Sequence, residues 1–352
     1  MRRRPSPTGS SDMSLDTIPV VDLGPLLTGD AASQHEVARQ FGEALETCGF
    51  ASIVNHGVDA SLIKRMYAEA ECFFAGPLAD KLAWTPPEQT KGRGYLPVGI
   101  ESVAATLAGE TPPDLCEALV FASLQRERAG QGLPNIWPTE PPRLGETVNA
   151  WFDAMYALCQ RLMRLSAVAL QLPDDYFAAS YREPSLTLRF VNYPDQPDAP
   201  CAGQLRYGAH HDYGGLTILR PDQAPGGLQV CSLDGQWRDV GAPADAFVIN
   251  VGDLMARWTN DRWRSTLHRV VNPPRTLTGS TRRLSLVAFT GPSCDTEVAC
   301  LPSCCSSEQP PRYTPVAAGA YIRAKLDQSM QLSTPAADSL PAHATNRSTR
   351  SC

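Results

Sequence analysis

No apolar run in this sequence approaches the roughly 18 residues that a membrane-spanning helix needs, so a helical membrane protein is excluded. Basic residues are not in excess either. Lys and Arg number 31 against 37 Asp and Glu, giving a net charge of −6 and a pI near 5.6. That balance argues against a general nucleic-acid binder. The 11 cysteines are an odd number, scattered from Cys48 to Cys352. Secreted disulfide frameworks favour short chains and even counts, so the expectation is a soluble, intracellular, cytoplasmic protein with reduced thiols. Cys300, Cys304 and Cys305 cluster loosely but lack paired spacing and a fourth ligand, so they read as a loop with free thiols rather than a zinc site. The first residues contain arginine and serine but no apolar stretch of a secretory signal. Residues 1–16 and the Ser-, Thr-, Ala- and Pro-rich residues 332–352 read as disordered tails, with Met13 an alternative start.

What is present divides the chain in two. Up to residue 183 the sequence reads as a helical and strand region that packs on a core. Short strands are expected at 18–23 and over residues 118–122, with another in the segment 48–58 that ends in a turn. Helices are expected at 31–48, 60–75 and 144–171, the last with Val148, Phe152, Met155, Leu158, Leu162 and Leu165 at spacings of three and four. Residues 86–113 and 122–142 read as loops that wall an entrance, with Tyr95 and Phe121 among them. From 184 to 312 the pattern becomes short alternating runs separated by Gly, Pro, Asn and Asp. Eight strands are expected, at 186–193, 206–212, 216–220, 227–231, 236–240, 246–250, 266–272 and 282–289. Such spacing points to a sandwich or jelly roll. A last helix is expected at 313–331, with its apolar residues inside 313–329. The fold class is therefore mainly β with flanking helices.

Histidine is scarce, and its six copies can each be weighed: His35, His56, His210, His211, His268 and His343. His343 falls in a tail, His35 on a helix surface, and His56 at the end of an early strand outside the β core. His210 and Asp212 stand two residues apart in Gly208-Ala-His-His-Asp-Tyr-Gly-Gly-Leu-Thr-Ile-Leu219, ahead of an alternating run. A strand has a side-chain period of two, so both point to one face while His211 points away. Alone this is a weak signal, since a core histidine bonded to a neighbour gives the same pattern. His268, in a later strand, supplies a second imidazole. Two histidines and a carboxylate form the facial triad of non-haem Fe(II) oxygenases, which leaves three metal positions open. In Arg282-Arg-Leu-Ser-Leu-Val-Ala-Phe289, Arg283 and Ser285 share a face and suit an anionic small molecule. A surface arginine remains the simpler reading of Arg283 taken alone.

The ordered set His210-His211-Asp212, His268 and Arg283-Leu284-Ser285 resembles the isopenicillin N synthase-like family of Fe(II)/2-oxoglutarate-dependent oxygenases. So do Ile18-Pro-Val-Val-Asp-Leu23, Gly49-Phe50 with Asn55-His56-Gly57, Asn192-Tyr193-Pro194, Gly226-Gly-Leu-Gln-Val230 and Asn250-Val-Gly-Asp253. The resemblance covers about residues 17–330. It implies a distorted double-stranded β-helix, with Fe(II) on His210, Asp212 and His268 as metal ligands and catalytic centre. It implies that Arg283, Ser285 and Tyr193 hold the distal carboxylate of 2-oxoglutarate, and that Phe289 touches the main substrate. O₂ and 2-oxoglutarate would be consumed, succinate and CO₂ released, and a small molecule of specialised metabolism hydroxylated, desaturated or cyclised. Two departures stand out. His211 replaces a small polar spacer, and Val191 replaces an asparagine common two residues before the tyrosine. Arg189 shares a face with Val191 and Tyr193 and is expected to meet a substrate carboxylate, a salt-bridged structural arginine being the alternative. The expected partner is a small molecule, with no nucleic acid and no membrane, for a monomer or weak homodimer. The alternatives are a 2-oxoglutarate-independent oxidase of the same family, of isopenicillin N synthase or ethylene-forming type, and a non-catalytic binding protein with the same fold.

Overall fold

The computed structural model describes residues 18–332 apart from 88–91, 110, 197 and 226. Met13, His343 and the expected tails lie outside the described residues, except for Leu332 itself. Twelve strands build two facing sheets. They are β1 (Val20–Asp22), β2 (Phe50–Val54), β3 (Gly94–Leu96), β4 (Glu117–Ala122), β5 (Ser185–Tyr193), β6 (Tyr207–His210), β7 (Leu216–Pro221), β8 (Leu228–Cys231), β9 (Trp237–Asp239), β10 (Phe247–Val251), β11 (His268–Val270) and β12 (Arg283–Gly291). The major sheet runs β1-β2-β10-β7-β12-β5-β4-β3 and the minor one β6-β11-β8-β9.

The longest pairing shows how sequence alternation makes the layers. β12 lies antiparallel to β5 from Arg283 opposite Tyr193 to Gly291 opposite Ser185. Leu284, Leu286 and Ala288, with Leu186, Leu188 and Phe190, face outward into the main hydrophobic core. There they meet the helix Leu144–Ala169, whose Val148, Trp151, Phe152, Met155, Leu158 and Leu162 are almost fully buried. The helices Ala31–Thr47 and Ala60–Ala75 join the same layer, their first turns capped by Asp30 and Asp59. The alternate residues of the two strands face inward. Val191, Tyr193 and Val287, with Phe289 packed against them, meet Val270 and Tyr207 of the minor sheet. The result is a double-stranded β-helix with an apolar, helix-covered outside and a mixed inner face on which polar groups converge. None of the described helices is long and apolar enough to cross a membrane.

Several sequence expectations change here. The β core is not confined to residues after 184, because β1–β4 extend the major sheet at both edges. His56 follows β2 and packs edge-on against Phe247 of β10, so it belongs to the core region. Residues 86–113 are not all loop, since β3 and a helical turn at Ala105–Ala108 lie within them. Tyr95 and Phe121 do not wall an entrance. Both are fully buried, Phe121 against Trp137 and Phe190, Tyr95 against Phe73. The last helix starts at Ala318 rather than 313, because Val316 and Ala317 pair with Glu297 and Val298 instead.

Tyr95 is buried with its hydroxyl because a partner is buried beside it. The hydroxyl donates to Glu117 Oε2 at 2.5 Å, Lys81 Nζ donates to the same oxygen at 2.8 Å, and Asn192 Nδ2 donates to Oε1 at 2.7 Å. One carboxylate thus joins β3, β4, β5 and the helical turn Leu78–Leu82. Removing one partner of a buried ion pair typically costs about 3–5 kcal/mol. Glu117→Ala is expected to lose roughly that much stability, read as a lower urea midpoint at unchanged slope.

Candidate metal centre

β6 ends at His210, so Asp212 is not in the strand that its spacing suggested but in the turn 211–215 that leads into β7. Backbone bonds fix that turn: Gly215 N–H donates to Thr290 O, Asp253 N–H to Asp212 O, and Gly252 N–H to Gly215 O, at 2.6–2.7 Å. Its glycine positions have no room for a side chain. A Cβ on Gly215 would stand 2.1 Å from the Tyr181 hydroxyl oxygen, and one on Gly252 would stand 2.5 Å from Gly214 O. The glycines of the motif therefore bring the turn flat against the ends of β12 and β10.

This placement brings His210, Asp212 and His268 together. His268 lies opposite His210 across the β6–β11 pair. One donor atom from each of the three lies within 4.8 Å of the others, and no other such group occurs among the described residues. Asp212 Oδ1 is 3.6 Å from His210 Nε2 and 3.8 Å from His268 Nε2. The remaining atoms are committed elsewhere. His210 Nδ1 lies 2.9 Å from Gly208 O and His268 Nδ1 lies 2.9 Å from Thr266 O, so both must carry a proton and both Nε2 lone pairs face the cluster. Asp212 Oδ2 accepts from the Thr217 hydroxyl and from Asn250 Nδ2, each at 2.6 Å.

Electrostatics keep the donors in ligand form. Burial pushes the Asp212 pKa up, but His268 and His210 and the Thr217 hydrogen bond outweigh it and hold the carboxyl well below the usual range. Burial, reinforced by His210, brings His268 down to about 4. Two imidazoles and one carboxylate, all buried, suit a divalent iron. His211 is outside the cluster, with Nδ1 3.4 Å from Ser265 Oγ.

Across the β12–β5 pair, Arg283 and Tyr193 lie opposite each other and Ser285 opposite Val191. All three polar side chains are buried. Arg283 Nη1 donates to Ala224 O at 3.1 Å and lies 3.5 Å from Asp222 Oδ1, while its Nε is buried with no hydrogen-bond partner. A buried cationic donor without a protein partner is able to pair with an anion. Arg206, which sequence reasoning passed over, is fully buried and stands over the Tyr193 ring, bonded to Pro225 O and Thr281 O. The period-two rule run backward from His210 through Gly208 reaches it. Thr217 and Asn250 were also missed as partners of Asp212, although both lie in quoted motifs. Arg189 carries the salt bridge that was its alternative reading: both terminal nitrogens meet Glu101, one at 3.0 Å. Phe289 is half-buried on the inner face.

Comparison with known proteins agrees with this geometry. A model described as the non-haem dioxygenase in morphine synthesis N-terminal domain matches residues 18–140, and the 2OG-Fe(II) oxygenase superfamily matches 180–292. The 2-oxoglutarate-Fe(II) type oxidoreductase hxnY of Emericella nidulans is 31% identical, covering 88% of this chain and 90% of its own. This chain belongs to the Fe(II)/2-oxoglutarate-dependent oxygenase family. The proline hydroxylase buaE of Petromyces alliaceus is 33% identical over 83% of this chain and 93% of its own length. Among solved structures, a full-length Neurospora crassa protein in complex with alpha-KG and thymine superposes with a TM-score of 0.79 at 30% identity, covering 88% of this chain and 96% of that one. The oxygenase fold, the cofactor pair Fe(II) and 2-oxoglutarate, and a dioxygenase acting on a small molecule all follow.

Two outcomes test the centre. Asn250→Ala is expected to weaken Mn(II) binding to the anaerobic protein by about 10–100-fold, the usual effect of removing a group that orients a ligand. In the metal-free protein the His268 ring is expected to stay neutral on acidification until pH nears 4, well below an ordinary histidine; a ring NMR titration reads this.

Proposed function

We propose that His210, Asp212 and His268 hold the Fe(II), that Arg283, Ser285 and Tyr193 hold the distal carboxylate of 2-oxoglutarate, and that Arg189 and Phe289 face the primary substrate. The observation that carries the cosubstrate assignment is the buried, unpartnered Nε of Arg283 on the inner face. An ordinary surface arginine keeps its nitrogens in water. Here a two-pronged, charge-assisted contact with a carboxylate would satisfy the donor at once. Burial pushes the Tyr193 hydroxyl pKa far up, so it stays a neutral donor to the same anion.

Iron, 2-oxoglutarate and O₂ together supply the oxidation, with succinate and CO₂ as co-products. The rest is done by the chain. Asp212, tied through Oδ2 to Thr217 and Asn250, keeps Oδ1 turned to the metal position. The carbonyls of Gly208 and Thr266 fix the two imidazoles in the tautomer that leaves Nε2 free to bind. The inner-face residues Val191, Val287 and Phe289 keep water away from the oxidising centre. The choice between hydroxylation, desaturation and ring chemistry lies with whichever substrate carbon these walls hold nearest the metal.

The assay is O₂-dependent conversion of 2-oxoglutarate to succinate. Asp212→Ala and His268→Ala are expected to abolish it with the circular dichroism spectrum unchanged; full activity in either would remove that residue from the metal. Arg283→Ala is expected to raise the 2-oxoglutarate concentration needed by roughly tenfold to a hundredfold, since charged hydrogen bonds contribute about 1.5–3 kcal/mol each. An unchanged requirement would reassign the cosubstrate site.

A further inference from the structure

The Arg189–Glu101 pair stands beside the proposed metal ligands. The Arg189 guanidinium lies over the Tyr207 ring, 5.6 Å from its centroid, and that ring meets the His210 ring edge-on at 4.8 Å. Arg189 is on β5, on the face shared with Tyr193, and its side chain is only 11% exposed. Glu101 comes from the segment between β3 and β4 and is 31% exposed. The rigid partner is therefore the cation and the accessible partner is the carboxylate. A second carboxylate nearby, Asp114, is already committed to the backbone N–H groups of Val103 and Gly208 at 2.9 and 2.8 Å.

We propose that Arg189 and Glu101 together form a recognition site for a small zwitterion, an α-amino acid or a close analogue, whose carboxylate pairs with Arg189 and whose ammonium pairs with Glu101. This rests on the reading that Arg189 lines the substrate pocket. The argument is one of charge balance. A substrate with only a carboxylate would take Arg189 from Glu101 and leave a partly buried carboxylate uncompensated, which is costly. A substrate with only a cation would strand the more deeply buried guanidinium. A zwitterion opens the pair and satisfies both halves, giving an alternating row of four charges. Glu101 is then a specificity-determining residue, because it makes the free amine part of what is recognised.

The test uses the full chain loaded with Mn(II) and 2-oxoglutarate. Binding of the twenty L-amino acids is measured by calorimetry, and each binder is compared with its N-acetyl and methyl ester derivatives. At least one amino acid is expected to bind, at least tenfold more tightly than either derivative. Glu101→Gln keeps the shape and the contact to Arg189, and it is expected to collapse the preference over the N-acetyl form to within about twofold. Equal binding of the N-acetyl form, no binder in the panel, or an unchanged preference in Glu101→Gln would overturn the proposal. Succinate formation with some other, non-zwitterionic compound would do so while leaving the oxygenase reading intact. Loss of all 2-oxoglutarate turnover with every compound would instead count against that reading.

Discussion

Everything at the centre depends on how one carboxylate is divided. Asp212 has two oxygens and two tasks. Oδ2 accepts two short hydrogen bonds, from Thr217 and Asn250, and so is held from the strands β7 and β10. Oδ1 is left facing two imidazole nitrogens. The hydrogen bonds also help to keep the group ionised although it is buried. Neighbouring strands of the major sheet therefore hold the carboxylate that lies outside any strand, while the minor sheet holds both histidines.

That division explains what could and could not be read from the sequence. His210, Asp212 and His268 were legible because few residue types can make such a centre and histidine is rare in this chain. The alternation of β12 was legible too, and it placed Arg283 and Ser285 on one face. The strand assignment of Asp212 was not, because a period of two continues through an extended turn as well as through a strand. Only the ladder bonds distinguish the two, and these depend on the partner strand. The core position of Tyr95 was hidden for a related reason. A tyrosine amid prolines and glycines looks like loop until Glu117, Lys81 and Asn192, distant in sequence, are brought to its hydroxyl. His56 and the strands before residue 184 were assigned outside the β core because a change in composition looks like a boundary. The sheet crosses it through the pairing of β2 with β10 and of β4 with β5.

Arg206, Arg189 and Arg283 differ in how their largely buried guanidinium groups are compensated. Burying a guanidinium is costly unless its donors are met. Arg206 is met by backbone carbonyls of Pro225 and Thr281 and by the Tyr193 ring, partners that cannot be exchanged without moving the chain. It ties together the segments that carry those two carbonyls. Arg189 is met by a side chain on a connecting segment, and such a partner can be exchanged. Arg283 is met only in part, by Ala224 O and by Asp222 at 3.5 Å, with Nε left over. An unmet buried donor costs about 1–3 kcal/mol. The three therefore differ in their partners: backbone carbonyls for Arg206, one carboxylate on a connecting segment for Arg189, and an incomplete set for Arg283. The same residue type is thus compensated in three ways, and the difference lies in where each hydrogen-bond partner is attached.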